Sequence, residues 1–310
     1  MTSKPPKNLP GFRPSTALRS GAGTARRLRA DVGEMRSGEN PVPPQPLPAP
    51  GCLCLERSSA LRAWTHQYYR PTRDADFLTR GNNAPERFVR IFREICAAAE
   101  PDGLEFDPGS VKAHRITEDA DYEGVRVTFT ARLERARIPI QIDIAFGDTV
   151  TPAPAESNFP RLLPAPRPRL LAYPKESVVA EKFEAMVKLG VANSRMKDFY
   201  DLYVLSRTLA FDGRNLSEAV RKTFENRGTA LPEGTLPLAF TPEFYDEAGK
   251  KRQWAAFASR NASYMDKLDF RELIKALVVF LVPVTDALRK EKSFTAQWKP
   301  GGPWRDESQG

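Results

Sequence analysis

The chain has 310 residues, room for about two domains at roughly 150 residues each. Hydrophobic residues make up 41% and charged residues 28%, ordinary for a soluble globular protein, and no run approaches the ~18 apolar residues of a membrane span, which excludes a membrane-spanning helix. Three cysteines and two histidines exclude a disulfide scaffold and a His-rich zinc site, and the first 30 residues lack an apolar signal region, so a reducing cytoplasm is the expected compartment.

Lys and Arg number 47 against 39 Asp and Glu, a net charge of +8. Residues 1–50 hold eight basic and three acidic residues, so +5 of that charge sits there. The folded part is therefore only mildly basic, which permits but does not require a polyanionic partner.

Residues 1–56 read as a disordered segment. They are rich in Pro, Gly, Ser and Arg, and residues 41–50 alone hold six prolines. Such a stretch buries too little apolar surface to offset its ordering entropy. A weak helical pattern covers Thr24–Met35, and Cys52-x-Cys54 reads as an incidental pair.

Residues 57–165 read as an α+β unit. Ser59–Tyr68 leans helical, and Ala75–Leu78 is a short strand candidate. Pro85–Ala99 places Phe88, Ile91, Phe92 and Ile95 on one helical face. Two strands with period-2 alternation follow. Val125, Val127, Phe129, Ala131 and Leu133 share one face, and Ile140, Ile142, Ile144 and Phe146 another. A gap of about five residues makes them a hairpin.

Residues 151–174 contain seven prolines and form a connector with a short strand around Leu170–Tyr173. From residue 166 to 290 the chain reads as a helical domain. Helices are expected at Lys175–Leu189, Ser194–Leu209, Leu216–Arg227 and about Tyr264–Leu288. Residues 291–310 read as a flexible tail.

The first chemical candidate is Asp74-x-Asp76. On a strand both carboxylates face the same side, about 6–7 Å apart, where they repel unless neutralised. A divalent cation is one solution, a solvated turn another. Asp143 strengthens the first. It points away from the isoleucine face, at the centre of a strand, where Asp is depleted. Three strand carboxylates are a set that metal-assisted phosphoryl transfer uses; the alternative is a solvated sheet face.

The helical half adds Lys182 among Val178, Val179, Phe183, Ala185 and Met186. Such a lysine either snorkels or reaches into a pocket. Arg195, Lys197, Asp198 and Asp201 open the next helix. The acids either complement its dipole or join Arg and Lys in a mixed-charge cluster that holds phosphates and a base.

At these residues the sequence resembles the AbiEii/AbiGii-type nucleotidyltransferase toxin family, whose members are toxins of type IV toxin–antitoxin systems. The resemblance is carried by Arg70-Pro-Thr-Arg-Asp74-Ala-Asp76-Phe and Gln141-Ile-Asp143-Ile-Ala-Phe-Gly-Asp148. Tyr173-Pro-Lys-Glu176-Ser-Val-Val-Ala-Glu181-Lys182 and Asn193-Ser-Arg195-Met-Lys197-Asp198-Phe-Tyr-Asp201-Leu continue it. Thr223-Phe-Glu-Asn-Arg-Gly-Thr and Gln253-Trp254-Ala-Ala-Phe257 extend it, for a coverage of about residues 60–288.

The resemblance implies a polymerase-β-like nucleotidyltransferase core, with a mixed sheet, flanking helices and a helical C-terminal half. It implies Mg²⁺ at Asp74, Asp76 and Asp143, and nucleotide phosphates at Lys182, Arg195 and Lys197. Asp198 or Asp201 would take the acceptor or base role. The substrate would be an NTP, the acceptor an RNA such as the tRNA 3′ end, and the partner a separate antitoxin protein.

One departure stands out. Where the family places a Gly-Gly or Gly-Ser loop at the nucleotide, this chain has no glycine, and Ser58 and Ser59 would stand in as the nucleotide-binding residues. Backbone N–H groups then approach phosphates less closely. Residues 11–59 also lack family character, a pattern that fits a segment read out of frame. An inactive remnant that binds only nucleotide or antitoxin, and a nucleic-acid-binding module using the basic N-terminal segment, are the alternatives to an enzyme.

Overall fold

The computed structural model describes residues 54–55, 75–98, 103–118, 122–146, 150–159, 167–233, 236–263, 265 and 267–306. The clearest alternation in the sequence becomes a hairpin in the structure. Strands β4 (Tyr122–Leu133) and β5 (Ala136–Phe146) pair antiparallel from Gly124↔Ala145 to Leu133↔Ala136. Val125, Val127, Phe129, Ile142 and Ile144 turn to one side and are buried, as their alternation predicts. The gap between the strands is shorter than expected. Arg132 pairs with Arg137, and the chain reverses over Glu134–Arg135 with Glu134 at φ 53°. These outer positions are exposed and polar, so no hydrophobic alternation marked them as strand.

Around this hairpin lie β1 (Cys54–Leu55), β2 (Ala75–Thr79), β3 (Glu105–Glu118), β6 (Ala155–Asn158) and β7 (Arg169–Ala172). Together they form a mixed sheet in the order β3-β4-β5-β2-β1-β7-β6, with β2 parallel to β5 and β1 parallel to β7. β3 carries no clear sequence signal because it is an edge strand and mostly exposed. It contains Pro108, which an edge tolerates because no inward N–H is required there. The ladder is irregular between Asp107 and Lys112, where the Asp107 carboxylate accepts from Gly109 N–H at 2.9 Å. β1 lies within the segment expected to lack a core; its Cys54 and Leu55 are buried between β2 and β7.

Each sheet face has its own cover. On one side, helix α1 (Pro85–Ala97), started by Pro85, sets Phe88, Phe92, Ile95 and Cys96 against Phe77, Val125, Val127 and Ile142. On the other, Cys54, Leu78 and Ala145 join the core of the helical half.

That half begins at α2 (Lys175–Leu189), at the bounds the sequence predicts. It continues through α3 (Met196–Thr208), α4 (Gly213–Asn226), α5 (Pro242–Tyr245), α6 (Ala248–Arg260) and α7 (Phe270–Arg289). α6 was not expected: of its 13 residues, only Lys250, Trp254 and Phe257 are buried. Trp254 stacks on Phe270 at 5.0 Å, and Phe199 lies 5.5 Å from the same ring. α7 starts later than expected, at an Asp269 side chain that accepts from the N–H groups of Arg271 and Glu272.

The chain after Glu291 differs from the flexible tail expected of it. β8 (Phe211–Asp212), β9 (Gln297–Trp298) and β10 (Trp304–Arg305) make a small antiparallel sheet. Trp298 is buried 4.8 Å from Phe280 and donates its indole N–H to the Ser206 carbonyl at 2.7 Å. Gly302 allows this approach: a Cβ there would stand 2.3 Å from the Trp298 ring, at a φ of 68°. Lone tryptophans in a polar tail have no period to betray packing.

Candidate active site

The sheet aligns three chemically active side chains in one row. Asp76 of β2 is in register with Asp143 of β5, and Asp143 with Arg126 of β4. Neighbouring strands lie about 4.8 Å apart, so these residues share one face side by side. It is the face away from α1, because Phe77, Val125, Val127, Ile142 and Ile144 occupy the other. Two residues along, Leu78 and Ala145 of the same face pack into the helical core. The carboxylates thus sit on the sheet face that the helical half covers.

Asp143 is 8% exposed. A buried carboxylate needs compensation. Arg126 supplies it as a two-pronged pair, Nε to Oδ1 and Nη2 to Oδ2, each 2.7 Å, and Gln141 Nε2 lies 3.3 Å from Oδ2. Arg126 carries no motif of its own, although it stands between core-facing Val125 and Val127 and so belongs on the acid face. Asp74, Ser58 and Ser59 lie outside the described residues. Among the described residues, no three His, Cys, Asp or Glu side chains gather as a metal cluster. Two adjacent hard-oxygen ligands nevertheless suit Mg²⁺, which is commonly held by one or two carboxylates plus substrate phosphates.

A second constellation joins α2 to α3. Lys182 Nζ lies 2.6 Å from Asp198 Oδ1 and 2.9 Å from Asp201 Oδ2, and all three side chains are buried. Arg195 Nε is 2.6 Å from Asp198 Oδ2, but Oδ2 has no aligned hydrogen bond, so that contact is a charge pairing. Lys182 therefore neither snorkels nor stands alone. Burial alone would push its ammonium down, but Asp198 and Asp201 outweigh that and hold it above the ordinary lysine value. Burial likewise raises Asp198, but Lys182 and then Arg195 overcome it and lower its carboxyl from 3.8 to about 2. Lys197 is exposed at the start of α3.

The sign of the Asp198 shift fixes a pH dependence. A depressed folded-state value adds stability that is complete above the unfolded value and lost as pH falls through the folded one. About 2 kcal/mol of unfolding free energy is expected to disappear between pH 4 and pH 2. Urea titrations across that window should show this slope in the native protein and a flatter one in Asp198→Asn. An equal slope in both would remove Asp198 as its source.

Two further clusters hold this constellation in place, and the sequence flagged neither as a pair. Arg227, just beyond α4, reaches Glu184 at 3.0 Å and Glu181 at 3.5 Å, and the Thr229 hydroxyl donates to Glu184. This locks the flank of α2 next to Lys182. Lys250 of α6 is buried, donates to the Asn193 carbonyl at 2.7 Å and lies 4.9 Å from the Phe244 ring centroid. Asn193 Oδ1 in turn accepts from Arg195 N–H at 2.8 Å. The turn that launches α3 is thus held from both ends.

The mixed sheet thus bears paired carboxylates and is backed by a helical half with a buried Lys–Asp–Asp cluster. The family described as "Nucleotidyl transferase AbiEii toxin, Type IV TA system" matches residues 59–276. The chain belongs to that family: it is a nucleotidyltransferase toxin of a type IV toxin–antitoxin system. Among solved structures, JHP933 from Helicobacter pylori is similar, with 14% identity and a TM-score of 0.45 over 89% of this chain and 95% of that one. A second H. pylori structure, titled "putative nucleotidyltransferase", shares 15% identity with a TM-score of 0.43 over 87% of this chain and 97% of that one. No curated protein sequence matches the chain. Among the described residues no helix is long and apolar enough to cross a membrane.

Proposed function

We propose that the chain transfers a nucleoside monophosphate from an NTP to a hydroxyl of an acceptor of the class of the tRNA 3′ end, with the α–β phosphoanhydride bond broken and pyrophosphate released, using Mg²⁺ held by Asp76 and Asp143 together with Asp74. The observation that carries this is the register of Asp76 with Asp143, which sets two carboxylates side by side on the face covered by the helical half. When bound, the metal would polarise the phosphoryl oxygens and neutralise their charge. The protein's own groups do the rest. At the start of α3, half-buried Arg195 and exposed Lys197 are assigned to the phosphates of the nucleotide. Lys182 keeps Asp198 and Asp201 ionised and fixed, and so holds the start of α3 in place. With its value near 2, Asp198 is a poor proton acceptor, and Asp201 is held by the same ammonium and nearly as buried, so both acids serve to fix Lys182 rather than to take a proton from the acceptor. A cognate antitoxin protein is the expected partner.

The test incubates the purified full chain with each α-labelled NTP in turn, Mg²⁺ and total RNA. Label should enter RNA from at least one NTP and should vanish with chelator. No transfer from any NTP, alongside measurable nucleotide binding, would favour the inactive nucleotide-binding remnant. The Ser58-Ser59 stretch in place of a glycine loop makes weak nucleotide affinity the expected kinetic signature.

A further inference from the structure

The row on the sheet contains one member that metal chemistry does not ask for. Asp143 offers two carboxylate oxygens, and Arg126 takes both, each at 2.7 Å. The pairing is built into the fold, since Arg126 and Asp143 are direct partners in the β4–β5 ladder. It is also compact, with the carboxylate 10% and the arginine 34% exposed. A guanidinium is charged at every accessible pH and matches a carboxylate in two parallel hydrogen bonds.

Resting on the metal assignment above, we infer that Arg126 is a resident competitor for the divalent cation at Asp143. With no cation bound, it offsets the repulsion between Asp143 and Asp76, which are adjacent across β5 and β2. A divalent ion at Asp143 needs at least one of the oxygens that Arg126 engages, and it meets a fixed positive charge within a few ångströms. Each oxygen has a second lone pair beyond the clasp, so the clasp does not bar the ion, but its fixed charge opposes entry and an ion on the clasped side must displace a hydrogen bond. The free protein binds the cation weakly, and Arg126 is a positioning residue that holds the Asp143 carboxylate in the plane of the row until the cation replaces it.

The test is Mn²⁺ binding to the full chain without nucleotide, read by the loss of the free-ion electron paramagnetic resonance signal. Arg126→Gln should bind Mn²⁺ at least about tenfold more tightly than the native chain, since it removes a two-pronged charge-assisted contact. Adding Asp143→Asn to that variant should abolish the gain. Mn²⁺ should also raise the thermal midpoint of Arg126→Gln more than that of the native chain. Equal or weaker binding by Arg126→Gln would overturn the competitor role and leave the metal site standing. No Mn²⁺ binding by either protein would overturn both. Should Arg126→Gln not fold, Arg126→Lys is read in its place. It keeps the charge but loses the two-pronged contact, so a gain of about threefold or more is expected and none would overturn the inference.

Discussion

Lys182→Met is expected to cost about 3–5 kcal/mol of folding stability, the largest loss for a single charged residue in the helical half. The reason is what it leaves behind. Asp198 and Asp201 are both buried, at 1% and 3% exposure, and Lys182 lies within 3 Å of each. Removing the ammonium takes away the partner the two acids share and leaves their like charges facing each other, with Arg195 on Asp198, in a site that burial makes expensive. Urea unfolding followed by circular dichroism should show the midpoint fall sharply. The variant carrying Lys182→Met, Asp198→Asn and Asp201→Asn together should recover part of the loss, because it removes the two buried like charges as well. A Lys182→Met midpoint close to that of the native chain would mean the ammonium is not the partner that holds these acids. Nucleotide affinity must therefore be compared only under conditions where the variant is folded.

The second large effect is on activity. Asp76→Ala and Asp143→Ala are each expected to lower nucleotide transfer by about 10³-fold or more, the several kcal/mol that a metal contributes to charge stabilisation. Stability should change far less than in Lys182→Met. Asp143→Ala leaves Arg126 without that carboxylate, but Arg126 is about a third exposed and water can take its place, so a loss of about 1 kcal/mol is expected. Label transfer and the thermal midpoint measured on the same preparations separate the two effects. Transfer that survives either substitution would remove that carboxylate from the reacting centre.

How much of this was legible in the sequence depends on whether a pattern was local. The β4–β5 alternation and the apolar face of α1 are short-range periods, and both appear where Val125, Ile142, Phe88 and Phe92 place them. The outward aspect of Asp143 followed from the same alternation. β3 was not legible, because an exposed edge strand with Pro108 shows no alternation. Nor was the packing of Trp298 and Trp304, which depends on contacts with Phe280 far away in the chain. The site divides the same way. The residues quoted for the family resemblance include Lys182, Asp198 and Asp201, which the structure joins in one buried cluster. Their clamps, Arg227 on Glu184 and Lys250 on Asn193, span 43 and 57 residues and carry no spacing signal. Arg126 reaches Asp143 across 17 residues through strand register alone, and register is set by the whole ladder.

The central claim is that the carboxylates aligned across β2 and β5 are the metal site of nucleotidyl transfer. A crystal structure of the full chain grown with Mn²⁺ and an NTP analogue tests it most directly, because the anomalous signal of Mn²⁺ locates the ion independently of the protein. The account predicts Mn²⁺ within about 2.2 Å of oxygens of both Asp76 and Asp143, with Arg126 withdrawn from at least one Asp143 oxygen and the triphosphate completing the coordination. An ion bound elsewhere, or a triphosphate seated away from this row while Arg126 still clasps both oxygens of Asp143, would contradict it.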